Sequence, residues 1–226
     1  MYSRFVAEGS APVTFGVSGR LWHGVLVMTD RESDSLWTQL DGRAIQGEAL
    51  GKTLEHVPST FTTWEAWKRA HPATLVLEKP PEARERVGSN YAEYFADPDR
   101  LFMDRLGEGL GGVGAKDVVF GVVENGEALA VTEGLLREKR VVNAVVGGTP
   151  VAWLLDERTG SAVIVERRLG QRLLLLDPAP ENPAELFKDS LTDETHGADE
   201  LRKLRSDRAF WYAWRRTHPK SVVLAH

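Results

Sequence analysis

The sequence predicts an α+β fold of two related, mainly antiparallel β modules, each ending in a short Trp-bearing helix, a His-Pro stop and a strand. Three observations carry this expectation. First, "WEAWKRAHPATLVL" (Trp64–Leu77) and "WYAWRRTHPKSVVL" (Trp211–Leu224) align without a gap at an offset of 147, and eight of their 14 positions are identical. Unrelated segments of that length would share about one. Second, the apolar runs are short and joined by hairpin signals such as Asn125-Gly126. Third, helical stretches are few and do not alternate with strands as βαβ units would. The modules are expected at residues 1–96 and 118–226, with 97–117 as the connecting loop, either as separate units or as the two lobes of one compact domain.

The chain opens with "YSRFVAEGSAPVTFGV" (Tyr2–Val17), which reads as strand, glycine turn, strand. It resembles "VIVERRLGQRLLLL" (Val163–Leu176), an alignment that sets Gly9 opposite Gly170. Trp22-His23-Gly24 and Met28–Gly42 build a further hairpin, dense in polar groups. His23, Asp30, Asp34, Ser35 and Gln39 are the side chains that would converge there. "DSLWTQLDG" (Asp34–Gly42) and "AELFKDSLTD" (Ala184–Asp193) both precede the repeated helix and match Leu-Trp with Leu-Phe.

The repeated helix has its own start and stop. Thr62 with Glu65 makes a capping box, and Pro72 disfavours helical geometry at His71, so the helix ends near Ala70. Trp64 and Trp67 are three apart and share a face, as do Trp211 and Trp214, so each pair is expected to pack its helix onto a sheet. His71 and His218 fall at the helix ends, where an imidazolium beside the last carbonyls is favourable. The strands "TLVL" and "SVVL" follow.

Between the copies, Lys79–Phe95 is a polar turn and a short helix, and Asp97–Asp117 is loop-like. "VVFGVVENGEALAVT" (Val118–Thr132) is a hairpin with a type I′ turn. Pro150–Leu155 and Ser161–Arg167 are strands joined by "DERTG". Ala198–Pro219 reads as two helical stretches broken near Ser206-Asp207, with those residues capping the second. The strand Pro150–Leu155 has no counterpart in the first copy, because at the offset of 161 set by Gly9 and Gly170 it would precede Met1. The sequence therefore reads either as starting inside a module, with a strand edge left unpaired that is expected to promote self-association, or as a second copy that gained a hairpin.

Several chemistries are excluded or left unsupported. A formal charge of -5 argues against nucleic acid or an anionic membrane as the main partner. The absence of cysteine removes disulfides, thiolate nucleophiles and Cys-ligated metals. No apolar run approaches the roughly 20 residues of a membrane helix. "MYSRFVAEGS" has no signal-peptide core, which leaves the cytoplasm as the default compartment. "GEGLGGVG" (Gly107–Gly114) lacks Gly-Lys-Ser/Thr and precedes a strand, so it is a flexible connection rather than a phosphate loop. The six histidines form no His-x-His or His-Glu-x-x-His pair, and neither metal nor cofactor is expected. No Gly-x-Ser-x-Gly elbow is present, and no catalytic residue is assigned.

Phe15–Leu77, through "LWTQLDGRAIQG" (Leu36–Gly47) and "TTWEAWKRAHPATLVL" (Thr62–Leu77), resembles the bacterial domain of unknown function 3179 family. The resemblance continues through "VVNAVVGGTPVAWLLDERTGSAVIVERR" (Val141–Arg168). Members of that family carry a Cys-x-x-Cys-like segment just before the strand that begins this chain, and some are candidate selenoproteins at that segment. This sequence lacks the segment; a selenocysteine codon read as a stop would account for a start at Met1. The resemblance implies a fragment of a thiol- or selenol-dependent redox protein whose reactive segment is absent. Trp22, His23, Trp37 and Gln39 would frame the site. The competing class is a non-catalytic binding or scaffold module. A cleft lined by those four residues favours the first reading; a closed, packed region favours the second. A hydrolase using His23 and Asp30 would need the two within hydrogen-bond reach.

Overall fold

The computed structural model describes residues 1–6, 10–57, 59, 61–81, 91–101 and 111–226. They form a mixed α+β fold, with mostly antiparallel strands in five small sheets and four short helices among them. Gly9, most of the polar turn within Lys79–Phe95 and residues 102–110 of the expected connecting loop lie outside the described residues.

The first sheet takes β1 (Phe15–Trp22), β2 (Val25–Asp30), β3 (Leu36–Thr38) and β4 (Ala44–Gln46) in chain order. The β1–β2 link is His23-Gly24, with φ of 54° and 78°, and Trp22 pairs with Val25 across it. Positive φ at both turn positions gives the backbone twist that matches the strands it joins. Helices α1 (Trp64–Ala70) and α2 (Ala92–Ala96) follow.

β5 (Val118–Glu124) and β6 (Glu127–Thr132) form the expected hairpin, with Asn125 and Gly126 at φ of 48° and 83°. After α3 (Glu133–Lys139) come β7 (Val141–Val146), β8 (Thr149–Asp156) and β9 (Ser161–Glu166), a three-stranded sheet in that order. A ribbon of β10 (Arg168–Leu169) and β11 (Arg172–Leu173) leads to a second three-stranded sheet, β12 (Leu176–Pro178), β13 (Leu186–Asp189) and β14 (Thr195–Gly197). The chain closes with β15 (Asp207–Phe210), α4 (Trp211–Thr217) and β16 (Val222–Leu224). These add to the hairpin to give the order β15-β5-β6-β16, in which β16 runs parallel to β6. The largest buried cluster joins this sheet to β7–β9, and there the Trp153 indole donates to the Phe120 carbonyl at 2.8 Å.

The two repeat copies share local geometry. His71 and His218 are both C-caps, and each backbone N–H donates to the preceding Trp carbonyl at 2.8 Å. The Trp67–His71 and Trp214–His218 ring centroids are each 4.2 Å apart. The Trp67 indole donates to Thr74 Oγ1 at 3.0 Å, and the Trp214 indole to Ser221 Oγ at 2.7 Å. Upstream, Met1–Ser3 bonds to 55–57 as Ile164–Glu166 bonds to 202–204: Ser3 N to Glu55 O at 2.8 Å and Val57 N to Met1 O at 2.9 Å, against Glu166 N to Arg202 O at 2.9 Å and Leu204 N to Ile164 O at 2.8 Å.

Their packing differs. Helix α4 buries Trp211 and Trp214 at 2% and 0% exposure. Helix α1 buries none of its residues, leaving Trp64 and Trp67 at 54% and 38% exposure. The expected packing of α1 on a sheet is therefore absent, and Thr74–Leu77 is not a strand. The physical reason is the neighbour. β16 has β6 to complete its ladder, whereas an extended segment with no adjacent strand satisfies its backbone in water.

Two further expectations change. The α1 cap is Thr63, not Thr62, and its hydroxyl accepts from Ala66 N at 3.1 Å. Ala198–Pro219 holds one 3-10 turn (Ala198–Glu200), a strand and a helix instead of two helices. Asp207 cannot cap α4 because it pairs with Gly121 in the β15–β5 ladder, and Phe210 is the N-cap, without a side-chain bond.

Candidate functional site

The hairpin tip between β1 and β2 reaches across to α4. His23 Nδ1 lies 3.4 Å from Thr217 Oγ1. The Tyr212 hydroxyl donates to the Gly24 carbonyl at 3.4 Å and lies 3.0 Å from the Tyr94 hydroxyl. Gly24 is required twice: by its positive φ, and because a Cβ there would stand 2.4 Å from the Tyr212 ring. The Trp22 ring lies tilted against His23 with centroids 4.8 Å apart and stays 41% exposed.

Trp37 is elsewhere, fully buried with Ala44, Ala49 and Leu54 in the core of the first sheet. Its indole donates to Asp30 Oδ2 at 2.7 Å. Asp30, itself buried, also accepts from Ser33 N at 2.6 Å and from Ser33 Oγ at 2.7 Å. Ser33 Oγ lies 2.7 Å from Ser35 Oγ, which accepts from Ala49 N at 3.0 Å. Burial raises the Asp30 pKa, but the bonds from Trp37 and Ser33 outweigh it and hold the carboxyl below its usual range. This network is a packed turn whose acceptors are in use. Gln39 is exposed on the following turn, and Asp34 is exposed at φ 54°.

The four residues expected to frame a site thus do not share one environment: His23 meets α4 with the exposed Trp22 beside it, Trp37 lies in the core, and Gln39 is in solvent. His23 and Asp30 stand at opposite ends of β2, whose six residues span roughly 20 Å. Each has its own partners, so the geometry for a His–Asp hydrolase is absent.

A cluster that sequence reasoning missed lies between the copies. Arg205 Nη2 donates to the Tyr2 hydroxyl at 2.6 Å and to the Leu40 carbonyl at 2.5 Å. Arg205 Nε is 3.2 Å from Asp207 Oδ2, and the Tyr2 hydroxyl donates to the Leu40 carbonyl at 2.7 Å. Burial pushes Tyr2 well above the ordinary phenol range against the opposing Arg205 charge, so its hydroxyl stays a donor. Burial likewise raises Asp207, with Arg205 opposing. His218 and His23 are both pushed down, chiefly by burial; Asp41 opposes in each case, while Arg205 adds to the effect at His218 and Arg216 at His23. Tyr2 and Arg205 are 203 positions apart, and no local pattern marks such a pair.

A cleft of about 420 Å³ opens between α1, through Ala66, Trp67 and Ala70, and the β8–β9 turn, through Asp156, Arg158 and Thr159. None of Trp22, His23, Trp37 and Gln39 lines it. Among the described residues, no group of three or more His, Asp or Glu could hold a metal ion, and no helix is long and apolar enough to cross a membrane.

Comparison with family models matches residues 1–221 to one described as "Protein of unknown function (DUF3179)". Comparison with curated proteins and with solved structures returns no match.

Proposed function

The chain belongs to the DUF3179 family, and from that premise we propose that it acts as a non-catalytic binding or scaffold module, assembled from two related β modules. One observation carries this reading: the side chains expected to frame a reactive group do not share a cleft. Trp37 is fully buried and bonded to Asp30, Gln39 points to solvent, and His23 is engaged with Thr217. The competing reading, a fragment of a thiol- or selenol-type redox protein, needs a chalcogen nucleophile. This chain carries no cysteine, and among the described residues Trp22, His23, Trp37 and Gln39 do not converge to receive one. Its exposed apolar features are surfaces instead: the α1 face and the outer edge of β1.

The test is the rate of exchange between a small dithiol and a model disulfide, with and without the full chain. An unchanged rate supports the scaffold reading. An acceleration that disappears in His23→Ala would overturn it and restore the site-frame reading.

A further inference from the structure

Two copies of one sequence unit have the same internal geometry and different surroundings. In the second copy the unit is α4 and β16, seated on the hairpin β5–β6. Gly121, Ala130 and Val223 form one row across the sheet, since Gly121 pairs with Ala130 and Ala130 with Val223. Trp214 rests on the glycine of that row, where a Cβ would stand 2.4 Å from its ring. Trp211 and Trp214 cluster with Val119, Ala130 and Val223. The seat is therefore a two-stranded surface of small residues, with a glycine under the indole and a strand edge that pairs in parallel.

In the first copy, Trp67, Thr74 and His71 keep the bonds and the tilted ring contact that orient Trp214. The unit is preformed, yet Trp64, Trp67, Leu75, Val76 and Leu77 are 54%, 38%, 94%, 69% and 93% exposed. Burying one aromatic removes roughly 150–250 Å², so these five offer on the order of 600 Å². That is close to the roughly 800 Å² per partner of a standard interface. An exposed apolar area of this order stands at the upper end of the largest patches on ordinary monomers, about 300–600 Å², which are often functional.

We propose that this unit, Trp64–Leu77, is a docking surface for a β-hairpin of the β5–β6 type on a partner polypeptide. The hairpin places a glycine beneath Trp67 and pairs one strand in parallel with Leu75–Leu77. The internal twin supplies both the occupant's chemistry and its register: Leu75, Val76 and Leu77 take the ladder positions of Val222, Val223 and Leu224. Binding by strand addition also supplies backbone partners that Leu75–Leu77 does not find among the described residues. The proposal rests on the scaffold reading and names its partner class.

The test uses the full chain and a synthetic peptide of residues 117–133, closed into a hairpin by a disulfide between cysteines added at its ends. The chain has no cysteine to exchange with it, and cross-strand NMR contacts verify that the peptide is folded. With peptide at about ten times its Kd, amide exchange at Leu75–Leu77 should slow about tenfold. A peptide carrying Gly121→Leu should give no slowing, nor should the chain carrying Trp67→Ala. No slowing with the folded peptide at roughly 1 mM, the weak end of specific binding, would overturn the proposal. Equal slowing by the Gly121→Leu peptide would overturn it too. Slowing that grows with the chain's own concentration, without peptide, would make a second copy the occupant and likewise overturn it. These outcomes leave the scaffold reading in place, which falls only to accelerated thiol exchange.

Discussion

Trp214 occupies the volume that a side chain at residue 121 would need: a Cβ there would lie 2.4 Å from the indole. The contact is set from both sides, because the indole nitrogen is held by Ser221 at 2.7 Å and the glycine by its ladder pairs to Asp207 and Ala130. Neither partner can retreat without breaking something else. Gly121→Ala should therefore destabilise the protein by about 1–3 kcal/mol, the range for overpacking a filled core. Urea denaturation checks this; an unchanged midpoint would mean the indole has room to move.

The twin helices predict unequal responses to the same substitution. Trp214→Ala empties a fully buried site and should cost about 3–5 kcal/mol. Trp67→Ala removes a partly exposed ring that touches no core and should stay under about 1 kcal/mol. Thermal unfolding of both variants gives the comparison. Equal losses would show that α1 packs as α4 does.

Asp30 accepts from Trp37 and from Ser33, side chain and backbone. Asp30→Asn keeps the shape but replaces one acceptor by a donor, which leaves a buried N–H facing another donor. The expected cost is about 1–3 kcal/mol. The pH dependence follows from the depressed folded pKa. The stabilisation is fully present above the unfolded value, near 3.9, and is lost as pH falls through the lower folded value. Acid unfolding of the wild type should thus contain a component, at the low end of the pH range, that Asp30→Asn lacks.

His218 and His23 titrate in the opposite chemical sense with the same direction of effect. Their folded pKa values lie below the usual 6.5, so the unfolded chain binds more protons in that window and stability rises with pH. Stability should be full above about 6.5 and decline as pH falls towards the folded values. Burial is the main cause at both; Arg216 and Arg43 add to it at His23, Arg205 and His23 add to it at His218, and Asp41 opposes it in each case. The double variant His23→Gln, His218→Gln should flatten the slope between about pH 5 and 7, as urea midpoints across that range would show. A slope that persists would assign it to other groups.

The parts of the fold legible in the sequence are those specified by near neighbours. Asn125-Gly126 dictates its turn through backbone freedom at two adjacent positions, and β5 and β6 then pair by proximity. The Trp-x-x-Trp helix and His-Pro stop recur at both sites, because a helix start, a shared face and a proline are local devices. What failed was the environment. α1 and α4 differ in what lies against them, which no residue within either helix encodes. Asp207 has the composition of a cap and the position of a strand residue, and pairing with Gly121 decided between the two. At the candidate site, the spacing of His23, Trp37 and Gln39 was visible but not their direction. Trp37 faces the core from β3, Gln39 falls on the turn that follows it, and the His23-Gly24 turn carries His23 to α4. Arg205, which ties the copies together, finds Tyr2 and Leu40 only after the whole chain has folded around them.

That clasp sets an order of events in time. Arg205 meets Tyr2 across 203 positions and Leu40 across 165. At a synthesis rate of roughly 5–20 residues per second, Tyr2 leaves the ribosome on the order of 10–40 s before Arg205 exists. Tyr2 and Leu40 are thus clasped by a residue made long after both, and a nascent chain halted short of Arg205 lacks that clasp.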